Sequence, residues 1–264
     1  MNLFLVTLVV ALVVSSIGFK KYVYFISIGY GFAIAAIGVA LLIAMRGQLS
    51  VAMVCACGLL VVYGCRLGGY LALRELRSSS YNSKMKTEIK RGDDVSMGAK
   101  VGIWVSAALL YACQASPVAF RFANGSGVDA LFVVGMLVSV VGLIVETAAD
   151  LQKSAAKKAN PRRFVDTGLY RMVRCPNYFG EMLFWTGTFV GGITTYAGAL
   201  QWVVALLGYL GIIYVMFSGA RRLEIRQNKA YGEDPEYQRY VKGTPIMIPL
   251  VPLYSVEKYT WLVA

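Results

Sequence analysis

Histidine is absent from the 264-residue chain. That absence removes the common zinc ligand sets, the Ser-His-Asp and Cys-His pairs, and imidazole as a general base. Any chemistry must therefore use Tyr, Asp, Glu, Lys, Arg or a cofactor, and no metal site is expected. Charge is scarce too: 15% of residues are charged against 58% apolar, and the mean hydropathy is +0.60, well outside soluble globular composition. Cysteine occurs five times, at Cys55, Cys57, Cys65, Cys113 and Cys175, with no CxxC pair and no secreted-domain spacing. These thiols read as small reduced hydrophobes rather than as a disulfide framework. Strand signals are almost missing and no GxGxxG marks a strand-to-helix turn, so any dinucleotide must bind outside a Rossmann domain.

What the chain has instead is apolar length. Stretches able to cross about 30 Å of hydrocarbon lie at 2–17, 22–45, 49–73, 99–119, 128–152, 177–193 and 196–218. They predict an all-α polytopic membrane protein of seven transmembrane helices. The first stretch has neither a basic n-region nor an A-x-A-like site, so it is read as a span rather than a signal peptide. Between the spans, 23 Lys and Arg fall on one side and only Arg46 and Arg121 on the other, with Arg66 left inside a span. By the positive-inside rule the N-terminus is outside and the C-terminus cytoplasmic. The net charge of +12 is thus first a topology signal, and without an aromatic-basic module no nucleic-acid partner is expected.

No internal repeat is visible, so the expected organisation is one membrane domain, 1–264, with a cytoplasmic cap from 74–98, 153–176 and 219–264. Function is sought at that mouth. The 74–98 loop is rich in Ser, Lys and Asp. It reads as mobile, either a plain connector or a lid over a cofactor.

Ionisable residues inside spans are costly and mark function by default. Tyr63, Arg66, Tyr70, Arg74 and Arg77 recur at steps of three and four, on one helical face that descends to the cytoplasm. Glu146, Asp150, Lys153 and Lys157 form a second stripe, read either as i,i+4 ion pairs or as ligand contacts. A third cluster surrounds Pro176, whose fixed φ suits a first helical turn. Arg174 precedes that turn, and Asn177 and Glu181 follow one turn apart, an arrangement suited to holding an anion. Arg221, Arg222, Glu224, Arg226 and Lys229 continue the last span into the cytoplasm, either as snorkelling ends or as ligand contacts. Together the four clusters suit a ligand with an anionic, hydrogen-bonding part at the mouth and a reactive part between the helices.

These motifs carry a family resemblance. The run Glu146-x-x-Ala149-Asp150-x-Gln152-Lys153, then Asp166-x-Gly168-Leu169-Tyr170-Arg171, then Arg174-Cys175-Pro176-Asn177-Tyr178-Phe179-Gly180-Glu181, then Tyr231-Gly232 with Tyr237, Tyr240 and Ile248-Pro249, resembles the steroid 5α-reductase family, in particular a bacterial homologue in an inner membrane. The Tyr63-x-x-Arg66-x-x-x-Tyr70 face is similar to that family as well. The resemblance implies seven helices, with NADPH enclosed by the later helices and cytoplasmic loops and a 3-oxo-Δ4 steroid among the earlier helices. It implies that Glu146, Asp150, Asn177 and Glu181 contact the cofactor and that the Arg221, Arg222 and Arg226 segment contacts its phosphate. Arg66, Tyr70, Lys153, Lys157, Tyr170, Arg174 and Tyr178 complete the expected cofactor set.

Tyr63 matches the family's ketone-facing tyrosine. The family's second-span Gln-Glu acid pair has no counterpart in this sequence, so Tyr63 carries the donor role alone or with Tyr30 or Glu146. Cys175 stands where the family often has His. Conjugate reduction asks the protein for orientation, exclusion of water and a donor at the developing enolate oxygen, which a phenol near Arg66 can supply. The partners expected are a steroid-like substrate and the bilayer, with no obligate protein partner.

Two other functions share part of the pattern. The Arg-x-Pro-x-Tyr helix start with a Tyr-Gly tail also resembles isoprenylcysteine-type membrane methyltransferases, which use S-adenosylmethionine, although the Glu146 to Lys153 stripe is not expected there. A lipid carrier would show inverted repeats or broken midplane helices, and neither is evident.

Overall fold

The computed structural model describes residues 2–77, 95–125 and 127–263. Most of the expected cytoplasmic loop at 74–98, and with it the connector-or-lid question, lies outside the described residues. Among these residues the secondary structure is entirely helical. The α-helices are α1 Leu3–Ser15, α2 Ile28–Ala44, α3 Val51–Arg77, α4 Met97–Ala123, α5 Ala130–Ala159, α6 Pro176–Val190, α7 Gly198–Tyr231 and α8 Pro235–Gly243. Four of them, α3, α4, α5 and α7, are long and apolar enough to cross a membrane, and the shorter apolar helices span Leu3–Phe19 and Ile28–Ala44. At 1.5 Å per residue α3 and α4 are each about 40 Å long, ample for the hydrocarbon core.

Local chemistry sets the helix starts. Asn2 Oδ1 accepts from Phe4 N at 3.1 Å, Ser96 Oγ from Ala99 N at 3.3 Å, and Asp234 Oδ1 from Glu236 N at 2.8 Å, each satisfying an N–H that has no partner within its own helix. The second apolar stretch does not run as one helix from residue 22. Residues Tyr22–Ile26 form a 3₁₀ turn, and α2 starts only at Ile28. Tertiary partners account for this break: Tyr111 Oη donates to Phe25 O at 2.6 Å and Tyr24 Oη donates to Glu75 Oε1 at 2.6 Å.

The chain divides into two compact units, one of 1–134 with 188–209 and the other of 135–187 with 210–264. In the first unit α2 packs along α3, and α1 packs on α2 and α4. The 3₁₀ segment is tied to the far end of α3 by the Lys21–Glu75 ion pair, which places residues 21 and 75 at the same end of that unit. At α4's C-terminal end, Arg121 is 1% exposed and donates to Gly191 O, Gly127 O and Asp129 Oδ2. Beside it Phe120, Tyr196 and Ala205 form an apolar core with Phe4, Phe189 and Trp202.

The second unit is held by close backbone contact between α5 and α6. A Cβ on Gly180 would stand 2.5 Å from Glu146 N, and one on Gly142 would stand 2.4 Å from Phe184 N. Small residues allow this approach, which is how apolar helices associate without a hydrophobic driving force. Gly180→Ala is therefore expected to force the helices apart and cost about 1–3 kcal/mol, read as a lower melting temperature in detergent with wild-type protein as the reference.

Candidate active site

Tyr30, Tyr63, Arg66 and Tyr70 fall in the first unit. Tyr63 is fully buried on α3 and Tyr30 is 7% exposed on α2, and their hydroxyls lie 3.0 Å apart. Tyr111 of α4 stacks at a tilt on Tyr30, centroids 4.9 Å apart. Residues of three helices thus meet around two buried hydroxyls. Below them on the α3 face, the guanidinium groups of Arg66 and Arg74 lie 5.8 and 5.5 Å from the Tyr70 ring centroid, within cation–π range. Arg66, Tyr70 and Arg74 of the expected stripe thus share one face of α3, with tyrosine between two arginines, while the side chain of Arg77 lies outside the described residues.

The remaining expected residues all fall in the second unit. Glu146, Asp150, Glu181 and Arg174 are 2%, 7%, 6% and 3% exposed. Glu146 and Glu181 are brought together by the Gly180 contact, since the residue before Glu181 lies against the Glu146 backbone. The segment before α6 docks on the Asp150 turn of α5: Leu169 N donates to Gln152 Oε1 at 2.9 Å, and Tyr170 Oη to Ala149 O at 3.3 Å. Gly168 makes this possible with φ +61, where a Cβ would meet Gln152 Oε1 at 2.4 Å.

Arg174 anchors the unit's C-terminal segment. Its Nη2 donates to Glu224 Oε1 at 2.7 Å and to Tyr254 O at 2.5 Å, while Val256 N donates to Glu224 Oε2 at 2.9 Å. Backbone bonds from Arg174 N to Pro245 O and from Cys175 N to Ile246 O continue the seam. The Nε and Nη1 atoms of Arg174, Asn177 Oδ1 and Ser218 Oγ are buried without a hydrogen-bond partner among the described residues. Four such atoms in one unit need partners, and a bound polar ligand would satisfy them. Tyr178, next to Asn177, lies 3.3 Å from where a Cβ on Gly219 would stand, which puts Ser218's stretch of α7 against the start of α6.

The other expected cofactor residues have different settings. Lys157 Nζ donates to Tyr231 Oη at 3.0 Å and to Arg163 O at 2.5 Å. Arg221 donates to Glu257 O at 2.9 Å and to Leu262 O at 3.1 Å. Both therefore tie segments of the second unit together. Lys153 is half-buried, whereas Arg222 and Arg226 are exposed on α7. Burial pushes the Cys175 thiol up to about 11, which favours the thiol over the thiolate. Burial likewise pushes Tyr237 up to about 12, keeping its hydroxyl a donor to Asn228 Oδ1 at 2.7 Å.

Sequence reasoning missed Tyr111, Ser218 and the pairing role of Glu224. Ser218 stands three and four residues before Arg221 and Arg222, a helical step that could have drawn it into the same cluster. Nothing in the local pattern marks Tyr111, whose place beside Tyr30 is a tertiary fact.

Residues 12–244 match the family described as protein of unknown function (DUF1295). The chain is 26% identical over 123 residues to the steroid 5-alpha-reductase DET2 of Gossypium hirsutum, a match covering 46% of this chain and 42% of that one. It is 38% identical over 58 residues to the steroid 5-alpha-reductase DET2 of Arabidopsis thaliana, covering 21% of this chain and 22% of that one. The chain thus spans less than half the length of these curated relatives. No solved structure matches it. The likeness to steroid 5α-reductases expected from the motifs is met by these relatives.

Proposed function

The chain belongs to the DUF1295 family of proteins of unknown function, and from that premise we propose that it is an NADPH-dependent reductase of the Δ4 double bond of 3-oxo-Δ4 steroids or similar hydrophobic enones. The observation that carries this reading is the Tyr30–Tyr63 hydroxyl pair, 3.0 Å apart and buried among apolar helices. A donor fixed in a dry interior stabilises a developing oxyanion far better than one in water. In the proposed reaction Tyr63 donates a hydrogen bond to the ketone oxygen, and Tyr30 holds the Tyr63 hydroxyl in place.

The residues of the second unit fit the cofactor. Arg174 has two guanidinium donors to spare among the described residues, Asn177 and Ser218 add polar atoms without partners, and Arg222 and Arg226 offer exposed charge. Guanidinium groups suit phosphate, and carboxylates such as Glu146, Asp150 and Glu181 suit ribose hydroxyls. Bound NADPH would supply the hydride that adds to the β-carbon of the enone. The proposed setting is a bacterial inner membrane crossed seven times, with the N-terminus outside and the arginine-rich cap in the cytoplasm, as the lopsided distribution of basic residues supports.

The cofactor half has a direct test. NADPH is expected to bind about 10- to 100-fold more tightly than NADH, the worth of one or two charge-assisted hydrogen bonds to the extra phosphate. Fluorescence titration of the purified protein in detergent measures both constants, with product formation from androstenedione followed by mass spectrometry. Equal affinities for the two nucleotides would overturn the phosphate assignment, and tight S-adenosylmethionine binding would favour methyl transfer instead.

A further inference from the structure

Gln114 lies in the buried stretch of α4 and is 2% exposed. Neither Nε2 nor Oε1 of its carboxamide has a hydrogen-bond partner among the described residues. A buried amide with no bond made at either end is rare in native proteins and needs an explanation. A membrane-spanning helix ordinarily spends such a side chain on a bond to a neighbouring helix. Gln114 makes none within the described residues.

On its own helix, the carbonyl of the preceding residue is already occupied. Pro117 has no N–H, so the carbonyl of Cys113 lacks its usual donor four residues on. Ser116 Oγ fills that place, donating to Cys113 O at 2.7 Å. At the same turn the backbone of α7 presses close: a Cβ on Gly208 would stand 2.3 Å from Cys113 C and 2.5 Å from Gln114 N. The backbone at Gln114 is thus tightly packed and locally satisfied, while its side-chain amide is not.

The position of that amide gives it a use. Gln114 is one turn along α4 from Tyr111, about 4.5 Å of rise, and Tyr111 packs on Tyr30, whose hydroxyl meets that of Tyr63. We propose that the Gln114 carboxamide is a specificity-determining contact that hydrogen-bonds a second oxygen of a rigid polycyclic lipid, at a point beyond the ketone that the tyrosine pair faces. This rests on the reductase reading for the identity of the ketone end. An amide can donate to a carbonyl and both donate to and accept from a hydroxyl, so either kind of oxygen is recognised. A purely apolar end leaves the amide without a partner and is disfavoured.

The test compares androst-4-ene-3,17-dione with androst-4-en-3-one, which lacks the far oxygen. Binding is read from the rise in melting temperature of the detergent-solubilised protein across a steroid titration without nucleotide, and turnover is followed in parallel with NADPH. The parent is expected to bind the dione about tenfold more tightly, and Gln114→Met is expected to bring that ratio to about one. The ligand-free variant should melt at or above the parent temperature, because an amide without partners is replaced by an apolar chain of similar shape. A ratio that survives in Gln114→Met overturns the proposal, and a lower melting temperature beside it assigns the amide to a structural water. An equal loss for both steroids places Gln114 at the reacting ketone and overturns it too. A parent that binds neither steroid defeats this proposal, whereas a parent that binds both with the expected ratio but reduces neither defeats only the reductase reading.

Discussion

Tyr63→Phe is expected to lower NADPH-dependent turnover of androstenedione or progesterone by about 100- to 1000-fold, the cost of removing one donor from a developing oxyanion. The ring itself stays, so the packing that buries Tyr63 completely is kept. Only the hydroxyl that meets Tyr30 Oη at 3.0 Å is lost. The fold should therefore lose little, about 1 kcal/mol for one hydrogen bond, and NADPH should still bind because Tyr63 is not among the residues expected to hold it. Tyr30→Phe is the companion variant. It leaves the Tyr63 O–H in place and removes only the group that orients it, so a smaller loss of about tenfold is expected. Product measured by mass spectrometry at saturating NADPH separates the two. Near-parental turnover in Tyr63→Phe would remove that residue from the mechanism.

The second large effect belongs to Arg174. Its side chain is 2% exposed and that of its partner Glu224 is 3% exposed, at 2.7 Å. Arg174→Met leaves a carboxylate buried without its counter-charge, and about 3–5 kcal/mol of stability should be lost. Because Arg174 Nη2 and Glu224 also grip Tyr254 O and Val256 N, limited proteolysis should first release the segment after α8. The double variant Arg174→Met with Glu224→Met removes both charges, and replacing a buried pair by apolar groups is often neutral. Most of the melting temperature should return. Nucleotide affinity should not, since the two remaining guanidinium donors are gone as well. A stable double variant that binds NADPH like the parent would leave Arg174 a purely structural residue.

Gly180 shows how much of this site is carried by small residues. It has no chemistry of its own, yet it sets the distance between the Glu146 and Glu181 helices. A side chain there would separate two candidate ligand groups without touching either.

Much of the architecture was legible from composition and period. An all-helical membrane chain follows from apolar runs that must satisfy their own backbone polar groups, and the Tyr63, Arg66, Tyr70 and Arg74 face follows from helical spacing alone. Pro176 at the head of α6 and the helical continuation through Arg221 and Arg222 also follow from local chemistry. The interrupted start of α2 does not, because Phe25 O is taken by a tyrosine 86 residues away. Nor do the Tyr30–Tyr63 pair, separated by 33 residues, the Arg174–Glu224 pair, separated by 50, or the Gln114 amide, which has no hydrogen-bond partner among the described residues. Periodicity determines which face of a helix is polar, since neighbours three and four residues apart share that face whatever the rest of the chain does. Which faces meet is decided by where glycine and alanine let two backbones approach, and that register exists only once distant helices have packed.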